Sequence, residues 1–209
     1  PIQGSECCSG VEAMYSYEHL LSITGDPQWG DLAEALAFNA LPATLSPDMW
    51  THQYDQQTNQ VCCTRLPEDH VVFRTNSAES HLFGLEPNFG CCTANFNQGW
   101  PKFALSTFMR SKEGIASVIL APSAVSCEIG GAHITCELKT EYPFREALTY
   151  VITADCPVRF PLSIRIPAAV KEARVGGEVA RPGAFFTVER EWNGREELQV
   201  RFTYETRLE

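Results

Sequence analysis

The strongest constraint on the fold is a change in sequence texture near residue 110. Before it, apolar side chains recur at helical spacing, most clearly over residues 9–24. After it, short β-rich runs are separated by turn signals such as Gly130-Gly131. Helices followed by strands predict an α + β chain with two segregated regions, residues 1–110 and residues 111–209.

Helix-ending and helix-starting residues divide the first region. Gly25 is a natural stop for the first helix, and Asp26-Pro27 is a start signal for the second, because the carboxylate caps free N–H groups and proline fits the first helical position. Pro42 ends the second helix, since it cannot donate a backbone hydrogen bond. Residues 99–109 then return to helical spacing.

The second region predicts antiparallel strands. Its β-rich runs cover residues 115–121, 132–138, 147–154, 158–166, 184–190 and 198–203. Asn193-Gly194, between the last two runs, predicts a turn. Short strands at this spacing are typical of an antiparallel β-sandwich of the jelly-roll kind.

Charge and hydropathy argue against two classes of partner, nucleic acids and membranes. The formal net charge is −10 at pH 7, and residues 1–110 carry 12 acidic against 4 basic side chains. That field repels a phosphate backbone, so we expect no nucleic-acid partner. No apolar run approaches the roughly 18 residues that a membrane-spanning helix needs, so we expect no membrane partner.

Residues 47–90 form a polar segment rich in turn formers. Its amides, carboxylate and histidine, with the flanking aromatic residues Trp50 and Tyr54, are the side-chain types that hold hydroxyl-rich ligands. A loop of this length inside a compact domain is usually functional, and a solvated surface loop is the alternative. Three residues are candidates for contacting a sugar: His52, His81 and Glu86, the last of which precedes Cys91 by five residues.

The chain contains nine cysteines, six of them in three adjacent pairs. The odd total, without a visible secretory signal, argues against a complete disulfide framework. Cys7-Cys8 and Cys91-Cys92 both lie at expected helix starts, where the helix dipole stabilises thiolates and lowers their pKa. Glu6 with two or three of these thiolates makes a four-ligand set for a divalent metal such as Zn²⁺. The alternative is that these cysteines are small buried apolar residues.

The remaining polar and sulfur side chains have simpler interpretations. Cys7 lies beside the candidate ligands and is expected to pack in the core, and Asn95 is expected to cap the following helix. Cys62 and Cys63 have no assigned role. The other cysteines fall in strand-like runs and are expected to be core or sheet-face residues: Cys127, Cys136 and Cys156.

Several segments together resemble glycoside hydrolase family 127, the group that contains the β-L-arabinofuranosidases. The first are Glu6-x-Cys8, the helix pair that follows it, and Phe89-Gly90-Cys91-Cys92-Thr93-Ala94-Asn95. The others are Tyr142-Pro143-Phe144, Leu162-Ser163-Ile164-Arg165-Ile166-Pro167 and Glu189-Arg190-Glu191-Trp192. The likeness therefore extends over nearly the whole chain.

The resemblance implies a fold and a chemistry. Residues 1–110 would supply the last helices of an (α/α)6 barrel, and residues 111–209 a β-sandwich domain. Zn²⁺ would be held by Glu6, Cys8, Cys91 and Cys92. Cys91 would be the nucleophile of a retaining glycoside hydrolase, forming a thioglycosyl intermediate that water hydrolyses.

Two departures from the family pattern, and two further hypotheses, remain open. Thr93-Ala94 replaces the Pro-Pro of familiar members, and the family's general acid/base glutamate is expected before Pro1, so the chain is expected to be part of a longer protein. The alternatives are a non-catalytic carbohydrate-binding protein and a structural zinc protein of the same ancestry. Free thiolates favour a cytoplasmic setting, with secretion as the alternative.

Overall fold

The computed structural model describes residues 4–65, 67, 69, 76–84 and 88–205. Helices precede the main sheet, which confirms the expected order of a mixed α and β chain. The chain divides into two compact units. The site unit comprises Pro1–Tyr17 and Leu32–Phe103, and the sheet unit comprises Glu18–Asp31 and Ala104–Glu209. Among the described residues, no helix is both long and apolar enough to cross a membrane.

The first helix ends and the second begins at the stop and start signals predicted from the sequence. Helix α1 (Cys7–Thr24) follows the two-residue strand β1 (Ser5–Glu6), and the next helix is α2 (Gln28–Ala35). Gly25 ends α1 with a left-handed φ of 67°, and its N–H donates to the Leu21 carbonyl at 2.9 Å. Asp26 caps α2 as predicted, because its Oδ1 accepts from the Gln28 N–H at 3.0 Å.

The chain after α2 first widens into a π-helical turn, then tightens into a 3₁₀ turn, and then becomes irregular. A π-helical turn covers Leu36–Ala40, and a 3₁₀ turn covers Pro42–Thr44, so the helical run stops before Pro42 as its missing N–H predicts. The only regular strand in the polar segment that follows, among its described residues, is β2 (Asp55–Gln56), which pairs antiparallel with β1.

Helix α3 differs from the prediction at both ends. It covers Gly90–Leu105 instead of residues 99–109. Apolar spacing alone placed the start at residue 99 because the first turns are polar, but the helix start expected at Cys91-Cys92 is confirmed. The late end was wrong because Phe108–Arg110 leaves the helix to pair with Ile115–Ser117 as a strand, so tertiary pairing overrides local spacing.

Eight strands of the sheet unit form one hydrogen-bonded sheet. They are β3 (Phe108–Arg110), β4 (Ile115–Ser117), β5 (Ser123–Ile129), β6 (Ala132–Thr140), β7 (Ala147–Ile166), β8 (Glu172–Val175), β9 (Glu178–Ala180) and β10 (Ala184–Thr203). The order is β3-β4-β7-β10-β8-β9, and β6 pairs with both β5 and β7. Each pairing is antiparallel except that of β4 with β7, which is parallel.

Two strands are longer than their sequence runs. The runs 147–154 and 158–166 belong to the single strand β7, and the last two runs both belong to β10. The turn predicted at Asn193-Gly194 is wrong: the register shifts between Trp192 and Gly194, and the strand continues through a bulge. By contrast, Gly130-Gly131 and Gly176-Gly177 do connect hairpin strands, and all four glycines have positive φ.

The core of the sheet unit is mainly apolar, and the buried charged side chains among its described residues are Glu18 and Arg165. Trp192, Tyr150 and Phe160 are among its fully buried side chains. Arg165 is also fully buried and pairs with Asp31, while its Nε–H donates to the Val118 carbonyl at 2.6 Å. Gly30 leaves room for this guanidinium, because a Cβ there would lie 2.5 Å from the Arg165 Nε.

Candidate metal centre

A short strand pair positions the start of α1. Glu6 lies opposite Asp55 in the β1–β2 ladder, and the Cys7 N–H donates to the Tyr54 carbonyl at 2.9 Å. Glu6 is therefore the last residue of a strand and Cys8 lies in the first turn of a helix. The change from strand to helix between Glu6 and Cys7 thus sets the directions of the two side chains of the Glu-x-Cys motif.

The second cysteine pair lies at the start of α3. The helix begins at Gly90, so Cys91 and Cys92 occupy its first turn, and the Cys92 N–H donates to the Phe89 carbonyl at 3.1 Å. A helix start carries partial positive charge from its free N–H groups, which favours anionic ligands.

The two starts converge in space. One ligand atom from each of Glu6, Cys8, Cys91 and Cys92 lies within 4.8 Å of every other. The Cys8 and Cys92 sulfurs are 3.2 Å apart. Cys92 is fully buried and Cys8 is 9% exposed, whereas Cys91 is open to solvent. The structure thus brings together the four residues that the family resemblance implies as a ligand set.

The donor set fits a divalent cation. Three sulfurs and one carboxylate match the mixed thiolate and oxygen coordination that Zn²⁺ accepts. Two sulfurs on one tetrahedral Zn²⁺ lie roughly 3.8 Å apart, given Zn–S bonds of about 2.3 Å. The separations in this cluster span that value, so small side-chain movements would complete a four-ligand site.

The thiols of the cluster do not follow the expected effect of the helix dipole. Burial raises the pKa of Cys8, and a hydrogen bond with Cys7 raises the pKa of Cys92. The same contact lowers the pKa of Cys7. The prediction that the helix starts lower the pKa of the ligand thiols is therefore wrong for Cys8 and Cys92, because desolvation and hydrogen bonding between neighbouring sulfurs outweigh the dipole.

Tyr54 is a neighbour of the cluster whose role the sequence did not show. Its ring stacks on Phe89, with centroids 3.9 Å apart. Burial raises the pKa of Tyr54 to about 12, and the charge of Glu6 with a hydrogen bond to that carboxylate adds to the effect. The phenol therefore stays protonated and donates towards Glu6. Only its aromatic character had been noted from the sequence.

Asn95 is a second such neighbour, and its predicted role as a helix cap is wrong. It lies inside α3 because the helix begins five residues earlier than Asn95. Its Nδ2 donates to the Cys8 sulfur at 3.3 Å, and its Oδ1 accepts from the Gln98 Nε2 at 2.5 Å. Spacing shows that Asn95 shares a helix face with Cys91, four residues before it, but gives no signal for the contact with Cys8.

His52 is buried instead of lying on an exposed loop. Its Nε2 is 2.9 Å from the Thr93 Oγ1, and its ring stacks on Phe96 with centroids 6.2 Å apart. Its backbone exchanges hydrogen bonds with Gly84, each 3.2 Å long. His52 thus contacts the residue that follows Cys92, and its predicted sugar contact stays a prediction.

The other two sugar-binding candidates have different outcomes. His81 is also buried, with 1% exposure, and its carbonyl accepts from the Gln53 Nε2 at 2.9 Å. Burial lowers the pKa of His81. Glu86 lies outside the described residues.

All nine thiols are free. Cys7 is buried, as expected for a packing residue, although its thiol also contacts Cys92. Cys63 is exposed and accepts from the amides of Gln53 and Gln60 at 3.3 and 3.2 Å. Cys136 is a core residue, and burial raises its pKa to about 12.

A cavity of about 530 Å³ opens beside the cluster within the site unit. Glu6 and Cys7 form part of its wall, and Tyr17, Asn39 and Gln57 contribute polar groups. Of the four clustered residues, Glu6 is the one that lines this cavity, so the cavity meets the cluster at its carboxylate.

Fold and site together define a mixed α and β protein with a sulfur-rich centre able to hold a divalent metal ion. Residues 1–105 match the family model described as the β-L-arabinofuranosidase GH127 catalytic domain, and residues 114–204 match that of the GH127 middle domain. The chain belongs to glycoside hydrolase family 127, which confirms the resemblance seen in the sequence.

Solved structures share the fold at low sequence identity. A GH127 β-L-arabinofuranosidase from Geobacillus stearothermophilus T6 superposes with a TM-score of 0.76 at 16% identity, covering 97% of this chain and 32% of its own. A structure titled glycoside hydrolase gives 0.73 at 18% identity, covering 97% and 34%. A GH127 β-arabinofuranosidase gives 0.74 at 16% identity, covering 96% and 32%. The chain thus spans about a third of each of these proteins. No curated protein sequence matches it significantly.

Proposed function

We propose that this chain carries the metal centre and the reacting thiol of a retaining glycoside hydrolase that acts on β-L-arabinofuranosides. The observation that carries the proposal is the convergence of Glu6, Cys8, Cys91 and Cys92 within 4.8 Å. Membership of family 127 supports the reaction class, and the names of the family models support the sugar.

Differences in exposure support distinct roles for the three cluster thiols. Cys8 and Cys92 are enclosed by protein, so they serve as ligands together with Glu6. Cys91 is the exposed sulfur of the cluster and the one that a sugar can reach. When bound, Zn²⁺ would keep the sulfur of Cys91 deprotonated and oriented.

The proposed reaction proceeds in two displacements. The Cys91 sulfur forms a bond to the anomeric carbon while the glycosidic oxygen leaves and takes a proton from a general acid. Water then attacks the same carbon and gives a proton back to the group that acted as the general acid, the carbon–sulfur bond breaks, and the sugar is released with its original anomeric configuration.

Wider features of the protein belong to the same proposal. Residues 1–110 are proposed to form part of an (α/α)6 barrel, and residues 111–209 a β-sandwich domain. A carbohydrate is the proposed partner, and the negative net charge disfavours nucleic acid. The free thiols favour a reducing compartment such as the cytoplasm.

The test combines metal content with turnover. We expect the full-length protein to contain about one Zn²⁺ per chain and to hydrolyse a β-L-arabinofuranoside, and its Cys91→Ser variant to show a kcat lower by about 10³-fold or more. Cys63→Ser is the matched control, because Cys63 is also an exposed thiol beside a second cysteine but lies outside the ligand group.

Two results would contradict the proposal in different ways. Metal-free protein whose Cys91→Ser variant keeps full activity would eliminate the mechanism. If the zinc-loaded full-length protein binds the arabinofuranoside but does not hydrolyse it, the alternative of a non-catalytic carbohydrate-binding protein is correct.

A further inference from the structure

The three sulfurs of the metal centre do not have equal surroundings. Cys8 accepts a hydrogen bond from the Asn95 Nδ2 at 3.3 Å. Cys92 contacts the sulfurs of Cys7 and Cys8. Among the described residues, Asn95 is the amide that donates to a cluster sulfur, which distinguishes Cys8 from the exposed Cys91.

The orientation of the Asn95 amide is itself fixed. Its Oδ1 accepts from the Gln98 Nε2 at 2.5 Å, so its NH₂ group must face away from Gln98 and towards Cys8. Asn95 and Gln98 are three residues apart on α3 and lie on the face that begins with Cys91-Cys92. One helix therefore presents two ligand candidates and, a turn later, a donor for a third.

We propose that Asn95 is a positioning residue that holds Cys8 as a non-reacting metal ligand, with Gln98 orienting its amide. This inference rests on the metal centre of the proposed function. An N–H donor shared with a metal-bound thiolate fixes the sulfur and withdraws electron density from it, which makes that sulfur a poorer nucleophile. The Asn95 amide therefore leaves the Cys91 sulfur as the better nucleophile of the two.

The same helix offers a matched comparison. Asn97 lies two residues further on, is exposed, and donates to the Thr93 carbonyl at 3.2 Å without touching a sulfur. Leucine is close to asparagine in size and keeps helix propensity high. Asn95→Leu and Asn97→Leu therefore make the same chemical change on one helix, and only the first removes a sulfur contact.

The experiment measures metal binding by the reduced protein, without substrate. Zn²⁺ affinity is obtained by competition with a chelator, and Co²⁺ is used to record the sulfur-to-metal charge-transfer band. We expect Asn95→Leu to bind Zn²⁺ about 10- to 100-fold more weakly. We also expect its band to move to lower energy, because the sulfur loses the hydrogen bond that stabilises its electrons. Gln98→Leu should shift both quantities in the same direction by less, and Asn97→Leu should shift neither.

The outcomes separate this inference from the proposed function. Wild-type affinity and an unmoved band in Asn95→Leu would overturn the role of Asn95 and leave the metal centre intact. Should Asn95→Leu fail to fold, equal affinities and bands for Gln98→Leu and Asn97→Leu would overturn it instead. A folded wild-type protein that binds neither Zn²⁺ nor Co²⁺ would overturn the metal centre and this inference together.

Discussion

The two units of the molecule bury different kinds of side chain. In the sheet unit the core consists of aliphatic and aromatic residues, and its polar exceptions are paired, such as Ser117 with the Tyr150 hydroxyl at 2.8 Å. The site unit instead buries many polar side chains: Glu34, Thr44, His52, Gln53, Asp55, Gln57, Ser80 and His81.

This contrast follows from how each backbone is held. The long strands β7 and β10 pair along nearly their whole lengths, so the ladder itself satisfies their peptide groups. The chain around β2 pairs its backbone in short stretches, such as β2 with β1 and His52 with Gly84. Side chains add to this pairing, as when the Gln56 Nε2 donates to the Ala40 carbonyl at 2.6 Å. Stability and metal binding should therefore respond to substitutions in different units.

The largest stability loss should come from the sheet core. Trp192 is fully buried, and its Nε1–H donates to the Phe160 carbonyl at 3.1 Å. Trp192→Ala should lower the free energy of unfolding by about 3–5 kcal/mol, since it removes the largest buried side chain and leaves a cavity. Denaturant unfolding measures this loss. Phe144→Ala is the control, because Phe144 is 86% exposed and its removal should cost less than about 0.5 kcal/mol.

The proposed separation of stability from metal binding would be wrong if Trp192→Ala lowered the free energy of Zn²⁺ binding by as much as it lowered the free energy of unfolding. Measured on the folded fraction, its Zn²⁺ affinity should equal that of the wild type.

The buried ion pair should give the next largest effect. Arg165→Met removes the partner of Asp31 and the bond to the Val118 carbonyl, and should cost about 2–3 kcal/mol of unfolding free energy. This loss is smaller than that expected from breaking a fully buried ion pair, because the Asp31 side chain is 25% exposed and can be rehydrated. Arg159→Met is the control, since the Arg159–Glu189 pair is exposed and should contribute less than about 1 kcal/mol. Equal losses for the two variants would show that burial of the guanidinium adds nothing.

In the site unit, a smaller loss of stability is expected from a substitution of Thr93. Thr93→Val keeps the shape of the side chain but leaves the His52 Nε2 without its 2.9 Å partner. The cost should be about 1 kcal/mol of unfolding free energy. Because Thr93 follows Cys92 directly, we also expect Zn²⁺ affinity to fall several-fold, measured by chelator competition. Ser163→Ala, which breaks the exposed contact with the Thr187 hydroxyl, is the control in the sheet unit and should leave Zn²⁺ affinity unchanged.

The sequence predicted those parts that depend on local chemistry. The cap at Asp26 and the turn at Gly130-Gly131 are short-range features, and each formed where its residue types require. The merging of two runs into β7 could not be predicted, because Pro157 and the polar residues near it resemble a strand break. Pairing with β6 and β10 along that length overrides the local signal.

In the site too, some features could be predicted from the sequence and others could not. The residue types pointed to Glu6 with two or three of the thiols in the Cys7-Cys8 and Cys91-Cys92 pairs, and the family resemblance narrowed these to Glu6, Cys8, Cys91 and Cys92. The contact of Asn95 with Cys8 joins residues 87 positions apart, and no local pattern encodes it. The burial of His52 was missed for the same reason, since its partner Thr93 lies 41 residues away.

The smallest effect should be a pH dependence from His81. Burial lowers the pKa of this ring in the folded protein below its ordinary value of 6.5, although the charge of Asp55 opposes the shift. The unfolded chain therefore takes up a proton at a higher pH than the folded one, so stability is constant above pH 6.5 and declines as the pH falls below it. Urea unfolding from about pH 8 to about pH 5 should show a shallower decline for His81→Gln, which cannot titrate, than for the wild type. His133→Gln makes the same change at an exposed histidine of the sheet unit and is the matched control. If His133→Gln flattened the profile and His81→Gln did not, the acid sensitivity would belong to the sheet unit and the polar interior of the site unit would not be its source.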